Sequence, residues 1–216
     1  MGKGMFVVFD GVDGAGKGTA VKGAKKFLLS KGIPESWIVH TAEPTNGFYG
    51  KKVRELLVSS PKPELNAKQF LDLYVADRKE HLEKIIEPAL REGKIVLCDR
   101  FKHSTFVYQH LQGIPLEKIR ELHEGMATPD LVFILDLPVE VAMKRILRRK
   151  KLDTFERAAF MEKVRAGFLK MKEIFPREDI VFIDASKSIG EVRAKIGSVL
   201  WNKVRENATT GNRTRP

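Results

Sequence analysis

The chain has 216 residues, 39 of them basic and 28 acidic, which gives a formal net charge of +11. This length suits one large domain, and the 43% hydrophobic content excludes a disordered chain. No apolar run approaches the roughly 20 residues that span a bilayer, and no apolar stretch follows the start. The single cysteine, Cys98, excludes an internal disulfide framework and a cysteine zinc cluster, so we expect a cytoplasmic protein.

Five short runs rich in Val, Ile and Phe lack polar alternation, which is typical of strands covered on both faces of a parallel sheet. These runs are Phe6–Phe9, Ile38–Thr41, Ile95–Cys98, Leu131–Leu135 and Ile180–Ile183. Between and after them lie stretches of helical period, at about 16–30, 65–91, 104–111, 116–126, 139–149, 154–174 and 189–205. Strands that alternate with helices predict βαβ units and an α/β fold.

No linker or repeat interrupts this alternation, so we predict a single domain over residues 1–206. Residues 207–216 are polar, contain Gly and Pro, and have no apolar anchor, so we predict a disordered tail there. Six basic residues fall within the eight positions 144–151 without an acid among them. A short cluster of this kind is usually a solvated surface unless a nearby anion site uses it, and a DNA-binding face would spread its charge more widely.

The strongest motif follows the first predicted strand. Gly11, four intervening residues and Gly16-Lys17, placed between a strand and a helix, match the P-loop that binds nucleotide phosphates. Small residues let backbone N–H groups face the phosphates, and the lysine reaches the β- and γ-phosphates. We expect the head of Lys17 to face solvent in the empty site. The residues assigned to ATP binding are Gly11, Val12, Asp13, Gly14, Ala15, Gly16, Lys17, Gly18 and Thr19.

Two positions are candidates for Mg²⁺. Gly18 stands where a Ser or Thr hydroxyl normally meets the metal, so Thr19, one residue later, is the candidate hydroxyl. Asp99 ends the third predicted strand, where a Mg²⁺-organising carboxylate belongs, although it could instead cap the strand end. Its neighbour Arg100 is placed for a phosphate.

An arginine lies on the apolar stripe of the predicted helix around Leu71–Ile86, which precedes the third strand. Arg78 is seven residues from Leu71 on a stripe that also contains Val75, Leu82, Ile85 and Ile86. An inward-facing arginine needs an anion, a carbonyl or a cleft, and Tyr74 one turn earlier could help it hold a flat polar ring. The alternative is a structural ion pair with Asp77 or Glu80.

The histidines show no metal-ligand spacing and are interpreted as surface or core residues. They are His40, His81, His103, His110 and His123. No nucleophile–base pair points to covalent catalysis, and phosphoryl transfer needs none, because positioning and charge stabilisation do most of the work.

Several segments together resemble the thymidylate kinases, a family of P-loop nucleoside monophosphate kinases. The resemblance covers about residues 6–201 and is carried by Phe9–Lys17, Glu43–Thr45, Leu73–His81, Ile86–Leu90, Asp99–Gln109, Thr128–Asp130, Asp153–Glu156 and Ile183–Ser186. It implies a three-layer P-loop NTPase fold with a five-stranded parallel sheet in the order 2-3-1-4-5 and a basic lid at about 144–156.

The resemblance also implies residue roles on the acceptor side. Asp13 would meet the sugar 3′-hydroxyl, and Arg100 would clamp the acceptor phosphate. Tyr74 would stack on the thymine while Arg78 hydrogen-bonds it. Thr105 and Tyr108 would border the base and the sugar 2′ position.

On the donor side, the resemblance assigns Asp99 to Mg²⁺ and Lys17 to the transferred phosphoryl group. Gly14 occupies the slot where some members carry a P-loop arginine, so the lid, with Arg148 and Arg149, would supply the catalytic cations. Ala42 stands where the family commonly has an arginine, and Arg54 is a candidate replacement.

The sequence therefore predicts an enzyme that transfers the γ-phosphoryl of ATP to dTMP with Mg²⁺, for dTTP synthesis. A kinase for another nucleoside monophosphate is the alternative within the same fold. A non-catalytic P-loop module that binds nucleotide or nucleic acid is the alternative from another class. The expected partners are dTMP, ATP and a second copy of the chain, without nucleic acid or membrane.

Overall fold

The fold was analysed in a computed structural model that describes residues 4–60, 66–147 and 155–212. Its centre is a parallel five-stranded sheet in the order β2-β3-β1-β4-β5. The strands are β1 (Met5–Gly11), β2 (Ile38–Ala42), β3 (Ile95–Asp99), β4 (Leu131–Asp136) and β5 (Ile180–Asp184). The predicted fold class, strands and strand order are confirmed.

The helices lie on both faces of the sheet, as the predicted βαβ units require. They are α1 (Lys17–Ser30), α2 (Phe48–Ser59), α3 (Ala67–His81), α4 (Glu87–Arg91), α5 (Lys102–Leu111), α6 (Leu116–Leu122), α7 (Val139–Leu147), α8 (Phe155–Leu169), α9 (Met171–Ile174) and α10 (Ile189–Asn212). A 3₁₀ turn covers Glu35–Trp37 and a π-helical turn covers Leu82–Ile86. Across the described ranges, no helix combines the length and apolar content that a membrane span requires.

The middle strand is completely buried, because the layers of helices cover both of its faces. All seven residues of β1 are buried, including the charged Asp10. The register pairs Phe9 with Asp99 and Gly11 with Leu135. The carboxyl ends of β1, β3 and β4 therefore meet at one edge of the sheet, where an open α/β fold binds its ligands.

Three details of the helices differ from the sequence predictions. Helix α2 was not predicted, and only Gly50 and Val53 on it are buried. Helix α10 continues to Asn212, past residue 207, where the sequence analysis placed the start of the tail. Ile85 is 41% exposed rather than part of the core stripe, because the wider π-helical winding rotates it away from the sheet.

Candidate active site

The P-loop between β1 and α1 has a shape that requires glycine where the strand ends. Gly11 has φ +136°, and a Cβ on it would lie 2.5 Å from the Leu135 carbonyl oxygen on β4. Both the conformation and the close approach exclude a side chain at this position. The loop borders a cavity of about 690 Å³, which is large enough for a nucleotide. Its lining includes Gly14–Ala20, Asp99, Arg100, Arg145, Lys187 and Arg193.

Lys17 does not face solvent as the sequence analysis expected. Its side chain folds back over the loop, and Nζ donates to the carbonyl oxygens of Gly11 and Val12, at 2.9 Å each. Burial, together with the positive charge of Arg100, lowers the pKa of Lys17 to about 8. The ammonium group that the motif assigns to a phosphate therefore donates to two carbonyl oxygens of the loop itself.

Arg100 joins the P-loop to the carboxyl end of β3. Its Nη2 donates to Asp13 Oδ1, and its Nη1 donates to Ser104 Oγ at 2.9 Å. It is the only non-glycine residue of the described chain with positive φ, at 72°. Burial disfavours its charge, but the neighbouring groups, foremost Asp13, outweigh this and raise the pKa of Arg100. Two predicted catalytic residues from distant parts of the sequence, Asp13 and Arg100, are thus in direct contact.

The two predicted aromatic residues lie on the same side of the sheet edge. The Tyr108 ring centroid is 5.9 Å from the Arg100 guanidinium, and its hydroxyl is buried without a hydrogen-bond partner among the described residues. Burial and the Asp13 charge raise the pKa of Tyr108. Tyr74 stacks on Phe70 with a centroid separation of 6.4 Å. Both phenols are therefore neutral over the physiological pH range.

Arg78 faces inward as predicted, but its anion is neither Asp77 nor Glu80. Its Nε and Nη2 donate to Glu43 Oε2, at 2.9 and 2.6 Å, and both side chains are at most 2% exposed. Nη1 donates to Thr105 Oγ1 at 3.1 Å. Asp77 instead accepts from the backbone and hydroxyl of Thr45.

Two buried histidines complete the surroundings of Arg78. His123 Nδ1 donates to the Ile119 carbonyl oxygen at 2.7 Å, so its Nε2 is free to accept from Arg78 Nη1 at 2.5 Å. His81 Nδ1 contacts Glu43 Oε1 at 3.1 Å, and its Nε2 contacts Thr41 Oγ1. The sequence analysis interpreted both as surface or core residues, and the structure buries them. It did not indicate that they surround an arginine.

The His123 contact predicts a pH-dependent stability. Burial and the Arg78 charge lower the pKa of His123 to about 3 from 6.5. Below pH 6.5, His123 becomes protonated in the unfolded chain but stays neutral in the folded chain. The free energy of unfolding therefore falls by up to about 1.4 kcal/mol per pH unit as pH decreases. Urea unfolding at pH 7, 6 and 5 should show this slope, and His123→Gln should reduce it. The exposed His110→Gln is the control, and equal slopes for His123→Gln and the unmodified protein would contradict the assignment.

The candidate metal residues lie on the same wall of the cavity. A Cβ on Gly18 would lie 3.3 Å from Asp99 Oδ2, so the carboxylate occupies the space beside the loop where a Ser or Thr side chain would stand. Burial raises the pKa of Asp99, and the positive charge of Lys17 partly offsets this. Thr19 is exposed at the start of α1. Within the described ranges, no three His, Cys, Asp or Glu side chains converge on a common point.

The structure describes Arg54, the candidate replacement for the missing family arginine, but not the two lid arginines. The guanidinium of Arg54 donates to three backbone carbonyls, those of Pro44, Thr45 and Gly50, and also to Asn46 Oδ1. Arg54 therefore stabilises the loop after β2 with four of its five N–H groups. Arg148 and Arg149 lie outside the described residues, as does most of the predicted lid.

The sequence analysis missed two buried acids at strand ends. Asp10 and Glu43 stand within the quoted motifs, yet neither received a role. For Asp10, a signal was available, because a charged residue within a fully apolar strand must find buried partners. Glu43 is 35 residues from its partner Arg78, and nothing in the local pattern links the two.

Comparison with known proteins supplies the family. The family model described as thymidylate kinase matches residues 9–196. The chain belongs to the thymidylate kinase family. A thymidylate kinase from Desulfotalea psychrophila is 40% identical over 195 residues, covering 89% of this chain and 92% of that protein. A probable thymidylate kinase from Thermococcus onnurineus is 39% identical, covering 93% and 98%, and a thymidylate kinase from Fervidobacterium nodosum is 37% identical, covering 90% and 98%.

Family membership agrees with the resemblance predicted from the motifs. The matched residues include the whole P-loop, Asp99-Arg100 and the Tyr74–Arg78 turn. The structure places these segments around one edge of the sheet, as a phosphoryl-transfer site requires.

Proposed function

We propose that this protein transfers the γ-phosphoryl group of ATP to dTMP, giving ADP and dTDP. An oxygen of the dTMP phosphate forms the new bond to the γ-phosphorus, and the bond from that phosphorus to the β,γ-bridging oxygen breaks. The observation that carries the proposal is the contact between Arg100 and Asp13 in a chain of the thymidylate kinase family. It joins the phosphate-binding loop to the residue that we assign to the acceptor phosphate.

The donor side is the cavity at the P-loop. Backbone N–H groups of Gly11–Thr19 and the positive end of α1 suit the phosphates of ATP. Lys17 exchanges its two carbonyl contacts for phosphate oxygens when ATP binds. Arg145, Lys187 and Arg193 add positive charge around the same cavity.

The acceptor side lies beyond Arg100. We assign the clamp on the dTMP phosphate to Arg100 and the contact with the sugar 3′-hydroxyl to Asp13. Tyr74 stacks on the thymine, and Arg78 hydrogen-bonds its O4 with the one N–H of Nη2 that Glu43 does not use. Thr105 borders the base and Tyr108 the sugar 2′ carbon.

Mg²⁺ is the proposed cofactor, and the donor set fits it. Mg²⁺ bound to ATP takes most of its ligands from phosphate and water and needs only one or two oxygen atoms from the protein. Asp99 and Thr19 supply a carboxylate and a hydroxyl, and the absent side chain of Gly18 leaves the carboxylate room beside the loop. The metal, when bound, neutralises charge on the β- and γ-phosphates.

The predicted lid is the proposed source of further catalytic charge. Six basic residues within positions 144–151 repel one another unless an anion is bound among them. Arg148 and Arg149 would close over the ATP phosphates, exclude water and stabilise charge that develops during transfer. We place the reaction in the cytoplasm, where the buried free thiol of Cys98 stays reduced.

A panel of acceptors tests the function. With ATP and Mg²⁺, we expect dTMP to be the best acceptor, dUMP weaker, and UMP, dCMP and AMP much weaker. A ring at Tyr108 leaves no space or partner for a 2′-hydroxyl, and Arg78 meets a carbonyl in thymine but an amino donor in cytosine. Coupled ADP-release assays measure each kcat/KM. Tyr108→Ala should narrow the gap between dUMP and UMP.

The panel also separates the two alternatives. AMP or another nucleotide as the best acceptor would indicate a kinase with a different substrate. ATP binding without turnover of any acceptor would indicate a binding module instead. Trp37→Ala, an aromatic change on the exposed 3₁₀ turn before β2, is the matched control, and its acceptor preference should equal that of the unmodified protein.

We further propose a homodimer. Four of the exposed large apolar side chains of the described residues lie on α2, namely Phe48, Tyr49, Leu57 and Val58. Val58 is 90% exposed, which is unfavourable unless another surface covers the helix. Pairing of this face of α2 with the same face of a second copy would give a two-fold, self-complementary interface. Sedimentation at micromolar concentration should give twice 24.5 kDa, and Val58→Glu should shift the mass toward the monomer.

A further inference from the structure

A buried carboxylate lies behind the candidate active site without any role in the function proposed above. Asp10 is the sixth residue of the otherwise apolar and glycine-ended strand β1, and it is 0% exposed. A carboxylate in such a place is unfavourable unless its oxygens are satisfied by strong donors. Its partners therefore indicate what it does.

All of its direct hydrogen bonds concentrate at the start of α5 and at its own neighbour. Oδ2 accepts from the backbone N–H groups of Phe101 (3.3 Å) and Ser104 (3.0 Å). Oδ1 accepts from the Ser104 hydroxyl (2.7 Å) and the Gly11 N–H (2.9 Å). Helix α5 has no side-chain cap of its own, so Asp10 supplies a negative group at its positive end from another strand.

This arrangement encloses Arg100 on both sides. The Arg100 N–H donates to the Phe9 carbonyl oxygen at 2.9 Å, and the next N–H, that of Phe101, donates to Asp10. Arg100 has φ +72° between these two contacts, a conformation that persists only where the surroundings impose it. Two consecutive residues of β1 thus hold the main chain of Arg100.

The side chain of Arg100 is held through the same carboxylate. The Ser104 hydroxyl donates its proton to Asp10 and uses a lone pair to accept from Arg100 Nη1, at 2.9 Å. Nη1 is also 3.6 Å from Asp10 Oδ1. The guanidinium is therefore aimed by a relay from Asp10 through Ser104, and Asp13 on its other side fixes the second nitrogen.

We propose that Asp10 is a positioning residue that directs Arg100 toward the acceptor phosphate. The proposal rests on the function assigned to Arg100 above. If Asp10 acts this way, its loss weakens the binding of the dTMP phosphate and leaves the binding of ATP and of the thymine base unchanged. A carboxylate that only stabilises the fold would affect all three ligands together or none.

The experiment compares the binding of dTMP with that of thymidine, which lacks the phosphate, by calorimetry. Asp10→Asn places an N–H₂ donor among groups that are themselves donors, so the relay breaks. We expect the Kd for dTMP to rise at least about tenfold, as for a lost hydrogen bond to a charged group, while the Kd values for thymidine and ATP stay within about twofold. The KM for dTMP should rise in parallel.

Two matched variants keep the result interpretable. Ser104→Ala removes the relay and leaves Asp10 in place, so it should weaken dTMP binding in the same direction even if Asp10→Asn does not fold. Asp130→Asn changes a carboxylate that accepts the Phe6 N–H at the other end of β1, at 2.8 Å, and it should leave the ratio of dTMP to thymidine affinity unchanged.

Arg100→Ala in the same assay separates the role assigned to Arg100 from the positioning role of Asp10. An unchanged dTMP affinity in Arg100→Ala would overturn the role assigned to Arg100. A weakened affinity in Arg100→Ala combined with normal dTMP binding in Ser104→Ala and in a folded Asp10→Asn would overturn the positioning role alone. Equal losses for dTMP and thymidine in those two variants would also overturn it.

Discussion

Replacement of Lys17 by alanine is expected to reduce kcat by at least about 10²–10³-fold while the protein stays folded. In the proposed function the ammonium group would stabilise the charge that develops on the transferred phosphoryl group and the bridging oxygen, and the removal of one such donor has an effect of this size. The free energy of unfolding should change little. The two hydrogen bonds from Lys17 Nζ to loop carbonyls are lost, but so is a charge that burial makes unfavourable. Single-turnover kinetics and thermal unfolding of the same sample measure the two effects.

The lowered pKa of Lys17 also predicts that activity depends on pH. Because the pKa is about 8 in the free protein, the cation is lost as pH rises above that value, and kcat/KM for ATP should fall there. Bound phosphates favour the charged form, so the decline in kcat should begin at a higher pH. Lys17→Arg, which keeps its charge at every pH, is the control and should have no such decline. Near-normal turnover by Lys17→Ala would contradict the P-loop assignment.

The sequence predicted most of the fold because its signals are local. Each strand is an apolar run that a parallel sheet buries on both faces, and each was located within about a residue or two of its position in the structure. Helix α2 was missed although Tyr49, Val53 and Leu57 stand at a helical spacing, and the structure buries only Gly50 and Val53 of it. The π-helical turn at Leu82–Ile86 was also missed. A pattern of apolar residues at the α-helical period does not show where a π-turn changes the direction of the side chains.

The site divides in the same way. The P-loop and Asp99-Arg100 were predictable because spacing and position at a strand end define them within the chain. The partners of Arg78 were not, because Glu43 and His123 are 35 and 45 residues away and only the fold brings them to it. The ion-pair alternative drawn from the local pattern named Asp77 or Glu80, and the Asp77 carboxylate in fact accepts from Thr45. The sequence therefore indicated that Arg78 is buried but gave no information on what holds it.

Of the single substitutions at the site, one that breaks the Glu43–Arg78 ion pair is expected to lower the free energy of unfolding most. Arg78→Met leaves a carboxylate that is 2% exposed without its principal partner, and breaking a buried pair in this way costs about 3–5 kcal/mol. His81 still contacts Glu43 Oε1 at 3.1 Å, but it replaces neither of the two N–H donors on Oε2. Urea unfolding at pH 7 measures the loss.

The double variant Glu43→Leu with Arg78→Met separates structure from recognition. Removal of both charges leaves no unpaired ion, so the free energy of unfolding should recover most of the loss. The preference for dTMP over dCMP should not recover, because the group proposed to hydrogen-bond thymine O4 is still missing. Lys68→Met, which breaks the exposed pair with Asp72, is the control and should change stability by less than about 1 kcal/mol. Recovery of both stability and acceptor preference would show that Arg78 is a structural ion-pair residue only, and that the base is recognised elsewhere.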